Sequence, residues 1–297
     1  MVSRRFSFYR VVRRWCVLHC MSAGLPVTSY LYRGGAGLFR LRGTQSGALG
    51  NGRGVRVGRE KRCVSTAMAP KFTLTYFDIE GAGEPIRLAA NLGGIEFEDK
   101  RVTRPEWAEM KAKMPNKQIP VMTLPGSDRL YTQSTAILQH VAKMAQDKLA
   151  PAPENEFDVD EALALAEDCR LAFSPSFYMG MAPDKFGHPQ GFQSTPEGKQ
   201  LIQDMRTKFV SDALPGLLDS ITILLDRHGG DAFLAGPKPT IADCKIFVWL
   251  RGFTRGHIDH VPTNCLETHP KVVAYMHRFA ALPGVSGRYT DGIRHPM

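Results

Sequence analysis

The sequence has no uninterrupted apolar run approaching the roughly 18 residues of a membrane-spanning helix; residues 246–250 are among the longest. That argues against an integral membrane protein built on such helices. Metal-type cysteine spacing is also missing. Of the six cysteines, only Cys16 and Cys20 are close together, with no second pair downstream and no histidine cluster beside them. Cys169, Cys244 and Cys265 are far apart within helical patterns and read as buried, reduced thiols, which fits a reducing compartment. An apolar content of 43% against 23% charged residues excludes wholesale disorder and collagen-like repeats. A chain of 297 residues predicts about two domains, large enough to bury a core without covalent staples.

Acidic residues are nearly absent from the start of the chain. Residues 1–69 hold twelve arginines and one lysine against the single acid Glu60, a net charge of +12, whereas residues 70–297 hold 25 basic and 28 acidic residues, a net charge of −3. The overall +9 therefore belongs to the leading segment, and the mildly acidic body shows no basic stripe for nucleic acid. Residues 1–69 read as a disordered basic extension, to be kept out of fold reasoning. Arg4, Arg5, Arg10, Arg13 and Arg14 interleave with Phe6, Phe8, Tyr9, Val11, Val12 and Trp15, which resembles an organelle-targeting presequence. A secretory segment over residues 15–25 is a second reading, interrupted by His19. A third takes Met68-Ala-Pro-Lys71 as the start and residues 1–67 as an over-called upstream segment. The expected location is the cytoplasm, or a mitochondrion or other organelle if the targeting reading holds.

From residue 72 the pattern sharpens. Phe72-Thr-Leu-Thr-Tyr-Phe77 alternates as a strand. Residues 84–92 carry Ile86, Leu88, Ala89 and Leu92 at helical spacing and end at Gly93-Gly94. Further strands are predicted at 96–102, 119–124 and 129–131, a helix at 104–114 behind Pro105, and a helix at 134–145. The order β-α-β-α-β-β-α describes a small mixed sheet flanked by helices. After the Ala150-Pro-Ala-Pro153 linker the chain reads as all helical. Helices are predicted at 159–173, along the leucine stripe from Leu214 to Leu225, at 244–250 behind the Thr240-Ile-Ala-Asp243 capping box, and from His269-Pro270 to Leu282. A Pro/Gly-rich connection occupies 181–197.

These residues resemble a family. Leu-Thr-Tyr76-Phe, Gly-Glu84-Pro-Ile-Arg87, Trp107-x-x-x-Lys111, Gln118-Ile119-Pro120-Val121, Thr132-Gln133-Ser134-x-Ala136-Ile137, Thr240-x-x-Asp243 and His269-Pro270 occur in the order and spacing of a cytosolic glutathione transferase. The likeness is to the sigma-like class, the branch that includes prostaglandin D synthases and S-crystallins, and it covers about three-quarters of the chain. It implies a thioredoxin-like glutathione-binding domain over residues 70–148. A helical domain over residues 152–290 would provide the electrophile site and the dimer contacts.

The resemblance implies glutathione as co-substrate, no metal, small hydrophobic electrophiles as the second substrate, a role in detoxification and a homodimer. A free thiol, with a pKa of about 8.5, becomes a good nucleophile only when ionised. A hydroxyl donating to the thiolate lowers that pKa, and the resemblance assigns this to Tyr76. Alone, Tyr76 reads as a strand aromatic facing the core. Ser134 is predicted at the N-cap of its helix, where unpaired N–H groups attract an anion; the resemblance gives Gln133 and Ser134 to the γ-glutamyl carboxylate. Ile119-Pro120 would hold a cis bond, leaving a backbone edge for the cysteinyl portion, with Lys117 and Gln118 beside it. Trp107 and Lys111, four apart on one helical face, would meet the glycyl end. Asp168, with Glu167 as its rival, would reach the partner subunit's glutathione amine.

One departure is visible. Family members often carry an arginine shortly after the tyrosine, and that position here is Ala82, with Arg87 too far along to be its direct replacement. Catalytic power is thereby in question, glutathione binding less so. The competing expectations are a glutathione-dependent isomerase or peroxidase, and a non-catalytic structural or binding relative of the same fold.

Overall fold

The structure is a computed structural model describing residues 72–289. The basic extension, with Cys16, Cys20 and Cys63, lies outside the described residues.

Three strands form one sheet in the order β2-β1-β3, with β1 (Phe72–Phe77), β2 (Phe97–Val102) and β3 (Val121–Thr123). As the central strand, β1 is buried along nearly its whole length, while the edge strand β2 exposes Glu98, Lys100 and Arg101. β1 and β2 are parallel and so need a crossover, supplied by α1 (Glu84–Gly93). Pro85 opens α1, and Gly94, with φ 66°, closes it in the left-handed conformation while the Ile95 N–H returns to the Ala90 carbonyl at 2.9 Å. β3 runs antiparallel to β1 and follows the Ile119–Pro120 peptide, which is cis. The fourth predicted strand is reduced to one antiparallel bridge, Met122 with Tyr131.

α2 (Arg104–Met110) starts at a capping box in which the Thr103 N–H donates to Glu106 at 2.7 Å. It ends a turn earlier than predicted, because Pro115 forces Met114 into extended backbone and single 3₁₀ turns fill the gap. α3 (Ser134–Met144) buries Ile137, Leu138 and Val141, and the short α4 (Gln146–Leu149) follows.

The helical part begins with α5 (Glu156–Met181), which runs two turns beyond the predicted end at Phe173 and carries Pro175 inside. Packing sustains that extension, since Phe173 meets Phe209 and Phe253 at 5.0 and 5.1 Å. α6 (Pro196–Lys208) has no counterpart in the sequence reading; only Gly198, Ile202 and Arg206 of it are buried, too sparse a stripe to stand out. A π turn leads into α7 (Leu214–Arg227), followed by α8 (Ile241–Thr254) and α9 (Pro270–Ala280).

α8 is the axis of the molecule. Cys244, Ile246, Phe247 and Leu250 are wholly buried, and α8 packs against both α5 and α1. Its predicted capping box is present: the buried Asp243 accepts from the N–H of Thr240 at 2.7 Å and of Leu234 at 3.0 Å. One continuous apolar core joins β1 and α1 to α8 and α9. The architecture is thus a thioredoxin-like sheet unit followed by a helical domain.

Candidate active site

Tyr76 is the next-to-last residue of β1, just past the final β1–β3 pair, Thr75 with Val121. It is buried, yet its ring stays outside the main apolar cluster. Its hydroxyl oxygen instead accepts a hydrogen bond from the Ala82 N–H at 3.1 Å. Ala82 belongs to the 3₁₀ turn Gly81–Gly83 that wraps the ring. A Cβ at Gly83 would lie 2.5 Å from Tyr76 Cδ1, and one at Gly81, where φ is +41°, would lie 2.6 Å from the hydroxyl oxygen. Only glycine lets the backbone come this close.

Burial pushes the Tyr76 hydroxyl above its ordinary pKa, opposed incompletely by the Ala82 N–H and the charge of Arg87, while Tyr178 on α5 pushes it further up. The hydroxyl therefore stays protonated at neutral pH. With its oxygen engaged by Ala82, its own proton remains to be donated to an acceptor.

Arg87 holds the start of the same turn. Its guanidinium is buried, donates to the carbonyls of Ile79 at 2.7 Å and Phe77 at 3.1 Å, and pairs with Asp99 at 2.9 Å. Its Cζ lies 5.8 Å from the centre of the Tyr76 ring. Beneath it, Glu84 is 1% exposed and accepts from Arg288, from Tyr289 at 2.6 Å and from Arg87 at 3.3 Å. Burial works to raise the Glu84 carboxyl, but Arg288, then Tyr289 and Arg87, outweigh it and hold it below the ordinary value.

Of the other predicted residues, only Trp107 has a contact that leads to this centre. Trp107 is half-buried and packs edge-on against Phe77, the neighbour of Tyr76, with centroids 5.9 Å apart. Lys111 follows one turn later and is exposed, as are Lys117 and Gln118. Ile119 is half-buried and Pro120 buried, immediately before β3. Ser134 is not the N-cap of α3 but its first helical residue; Gln133 occupies the cap with φ 72° and makes no side-chain capping bond. The correction matters, because a non-glycine residue in that conformation is uncommon.

Asp168 on α5 is exposed. Glu167 is instead tied inside the chain: it accepts from Arg170 at 2.9 Å and lies 3.7 Å from Lys245. Lys245 in turn donates to Thr135, next to Ser134, at 3.0 Å. That link brings α5, α8 and the start of α3 together.

Sequence reasoning missed the Ala82 N–H, the glycine pair, Tyr178 and Lys245, and gave Arg87 no role at the turn. Only the first two had a signal: a Gly-x-Gly turn between a strand and a helix marks close backbone approach. A cleft of about 500 Å³ lined by Ala90, Asn91, Ile95, Glu96 and Gly284 contains none of the predicted site residues. Among the described residues no histidine, cysteine and carboxylate cluster has the makings of a metal site.

Comparison with known proteins bears on this arrangement. Residues 72–143 match the family described as "Glutathione S-transferase, N-terminal domain", and residues 191–287 match "Glutathione S-transferase, C-terminal domain". A probable glutathione S-transferase of Caenorhabditis elegans is 38% identical over 220 residues, 73% of this chain and 94% of that protein. A protein of the same organism named glutathione S-transferase P is 29% identical over 71% of this chain and 88% of its own length. Among solved structures, the prostaglandin synthase D of Nilaparvata lugens superposes with a TM-score of 0.59 at 22% identity, covering 75% of this chain and 99% of that one, a likeness of fold. The two domain matches fall in order on the sheet unit and the helices, and a relative is matched over nearly its whole length: the chain belongs to the glutathione S-transferase family.

Proposed function

We propose that this protein conjugates glutathione to small hydrophobic electrophiles, with Tyr76 donating its hydroxyl hydrogen bond to the glutathione sulfur. The carrying observation is the buried Tyr76 hydroxyl whose oxygen already accepts the Ala82 N–H. The thiol gives its proton to solvent, and the thiolate attacks the electrophilic carbon. A carbon–sulfur bond forms as the leaving group departs with its electron pair, or, in an addition, the resulting carbanion takes up a proton. Donation from Tyr76 stabilises the thiolate and lowers the thiol pKa.

In this reading the turn needs no arginine at position 82, since the contact to Tyr76 is made by backbone. Glutathione binding belongs to the 70–148 unit. Gln133 and the first-turn N–H groups at Ser134 meet the γ-glutamyl carboxylate; Lys117, Gln118, Ile119 and Pro120 flank the cysteinyl portion; Trp107 and Lys111 meet the glycyl end. The helical unit over 152–290 offers the electrophile an apolar surface at Tyr178, Met181 and Phe186, all exposed. In a homodimer Asp168 reaches the partner subunit's glutathione amine, a role that suits it better than Glu167, whose carboxylate is engaged by Arg170 and Lys245. The free Cys169, Cys244 and Cys265 suit a reducing compartment, and we assign the enzyme to the cytoplasm, with detoxification as its role.

The test is a conjugation assay on the full chain beside Tyr76→Phe. The variant is expected to lose about 10²–10³-fold in kcat, the cost of removing one donor to a developing anion, with glutathione binding retained. Equal turnover by the two proteins would refute the role of Tyr76.

A further inference from the structure

The roles assigned above leave unused a fully buried cation on the helical side. Arg251 on α8 is wholly buried, and a guanidinium in that position needs a counter-charge. Its Nε donates to Glu80 Oε1 at 3.2 Å, and Nη1 of Arg255, one turn along at the end of α8, lies 3.2 Å from the same oxygen. Arg251 Cζ also stacks 3.9 Å over the ring of Tyr289.

Glu80 stands at the entrance of the Tyr76 turn. It is the residue before Gly81 and two before Ala82, and its carbonyl accepts the Glu84 N–H at 2.9 Å. The turn beyond it has no slack, because a methyl group at Gly81 would fall 2.6 Å from the Tyr76 hydroxyl. A hydrogen bond weakens steeply with misalignment. The 3.1 Å contact from Ala82 to Tyr76 therefore depends on where Glu80 is held. Arg87 grips Phe77 and Ile79 ahead of Glu80, leaving the Glu80 carboxylate to α8.

We infer that Arg251 and Arg255 are positioning residues for thiol activation: by clamping Glu80 from α8 they set the Gly81–Gly83 turn so that the Ala82 N–H meets the Tyr76 hydroxyl. This rests on the reading of Tyr76 as the donor to the glutathione sulfur. It also bears on the lack of an arginine at position 82: beside Arg87, charge from the helical domain steadies the turn. The charged and titratable groups facing Glu80 are Arg251 and Arg255 on α8 and Tyr289, while His257, just past α8, lies beside the two arginines. Burial, then Arg255 and Arg251, hold His257 below its ordinary pKa, so it is neutral near pH 7.

The experiment compares the full chain with Glu80→Gln, Arg255→Gln, Arg255→Lys and Tyr76→Phe. It measures kcat and KM for conjugation across pH, the ultraviolet absorbance of the bound thiolate, and the melting temperature. Glu80→Gln and Arg255→Gln are expected to move the thiol's ionisation upward by about one pH unit, a loss of about tenfold in rate below it. Glutathione KM should stay within about threefold, the change falling in kcat, and Arg255→Lys should recover most of the rate. A lowered melting temperature with an unchanged pH profile would overturn the inference, leaving the cluster as a structural ion pair. If Glu80→Gln does not fold, Arg255→Gln decides alone, since that side chain is a quarter exposed. Full activity in Tyr76→Phe would overturn the Tyr76 reading and this inference together, whereas a failure confined to Glu80 and Arg255 leaves Tyr76 standing.

Discussion

The two ends of the candidate site are built from different material. At the thiol end a buried hydroxyl is held by a backbone N–H, two glycines and a set of buried guanidiniums that reach from α1 and α8. At the ends expected to meet carboxylates, Lys111, Lys117 and Gln118 are exposed side chains on short turns. On the proposed reading, reaction geometry is set by buried, closely packed groups, while recognition of a flexible, charged tripeptide is left to solvated ones. Changes at the first end should act on kcat and on stability, and changes at the second on KM.

The sharpest way to break that contrast is Gly83→Ala. Its backbone, at φ −82°, accepts alanine, so space alone decides the outcome. The new methyl group meets Tyr76 Cδ1 at 2.5 Å and Cγ at 2.8 Å, atoms near the root of the ring that cannot swing away. We expect a loss of at least about 100-fold in kcat, as for a donor removed from a developing anion, and a stability cost of about 1–3 kcal/mol from overpacking. Ala82→Arg, one residue away at an exposed position, should melt with the wild type. Equal kcat in Gly83→Ala and wild type would show that the turn is looser than its geometry.

How far was this arrangement readable beforehand? β1, α1 and the opening of α8 were, because alternation, a glycine stop and a Thr-x-x-Asp box are local signals that packing reinforces. α5 beyond Phe173 was not: Pro175 lies inside the helix, and packing by Phe209 and Phe253 on Phe173, with Ser176 and Met179 buried, supports the helix around it. α6 hid for the opposite reason, having too few apolar residues to declare a face. In the site, Tyr76, Trp107 and Ser134 were singled out by resemblance alone, and their roles belong to the proposed function. At Ala82 the sequence reading considered only the side chain, whereas the structure shows its backbone N–H on the Tyr76 hydroxyl. Ser134 slipped from cap to first turn because the positive φ at Gln133 is a property of tertiary context.

A second prediction separates stability from chemistry at the thiol end. Glu84→Gln removes the charge that Arg288 and Arg87 share, and breaking so buried a pair should cost about 3 kcal/mol in urea unfolding. The pH dependence has a definite sign. The folded carboxyl lies below the unfolded value of about 4.3, so its contribution is complete above that pH and is lost as pH falls through the folded pKa. Wild type and Glu84→Gln should therefore differ most near neutrality and converge in acid. A constant difference between them from pH 7 down to pH 2 would mean that packing, and not ionisation, is the origin of the effect.

The smallest effect is expected at the recognition end. Lys111 is exposed and one turn from Trp107, so its attraction for a glycyl carboxylate acts through water and is screened by salt. Exposed pairs of this kind contribute about 0.2–1 kcal/mol, so Lys111→Ala should raise glutathione KM by roughly 1.4- to fivefold at low salt. At 1 M salt, where the screening length is about 3 Å, the difference should vanish, with kcat unchanged throughout because the thiol end is untouched. A KM effect that survives high salt would mean that Lys111 is enclosed when glutathione binds. A fall in kcat instead would mean that the carboxylate end and the tyrosine turn respond as one unit, and the contrast between them would fail.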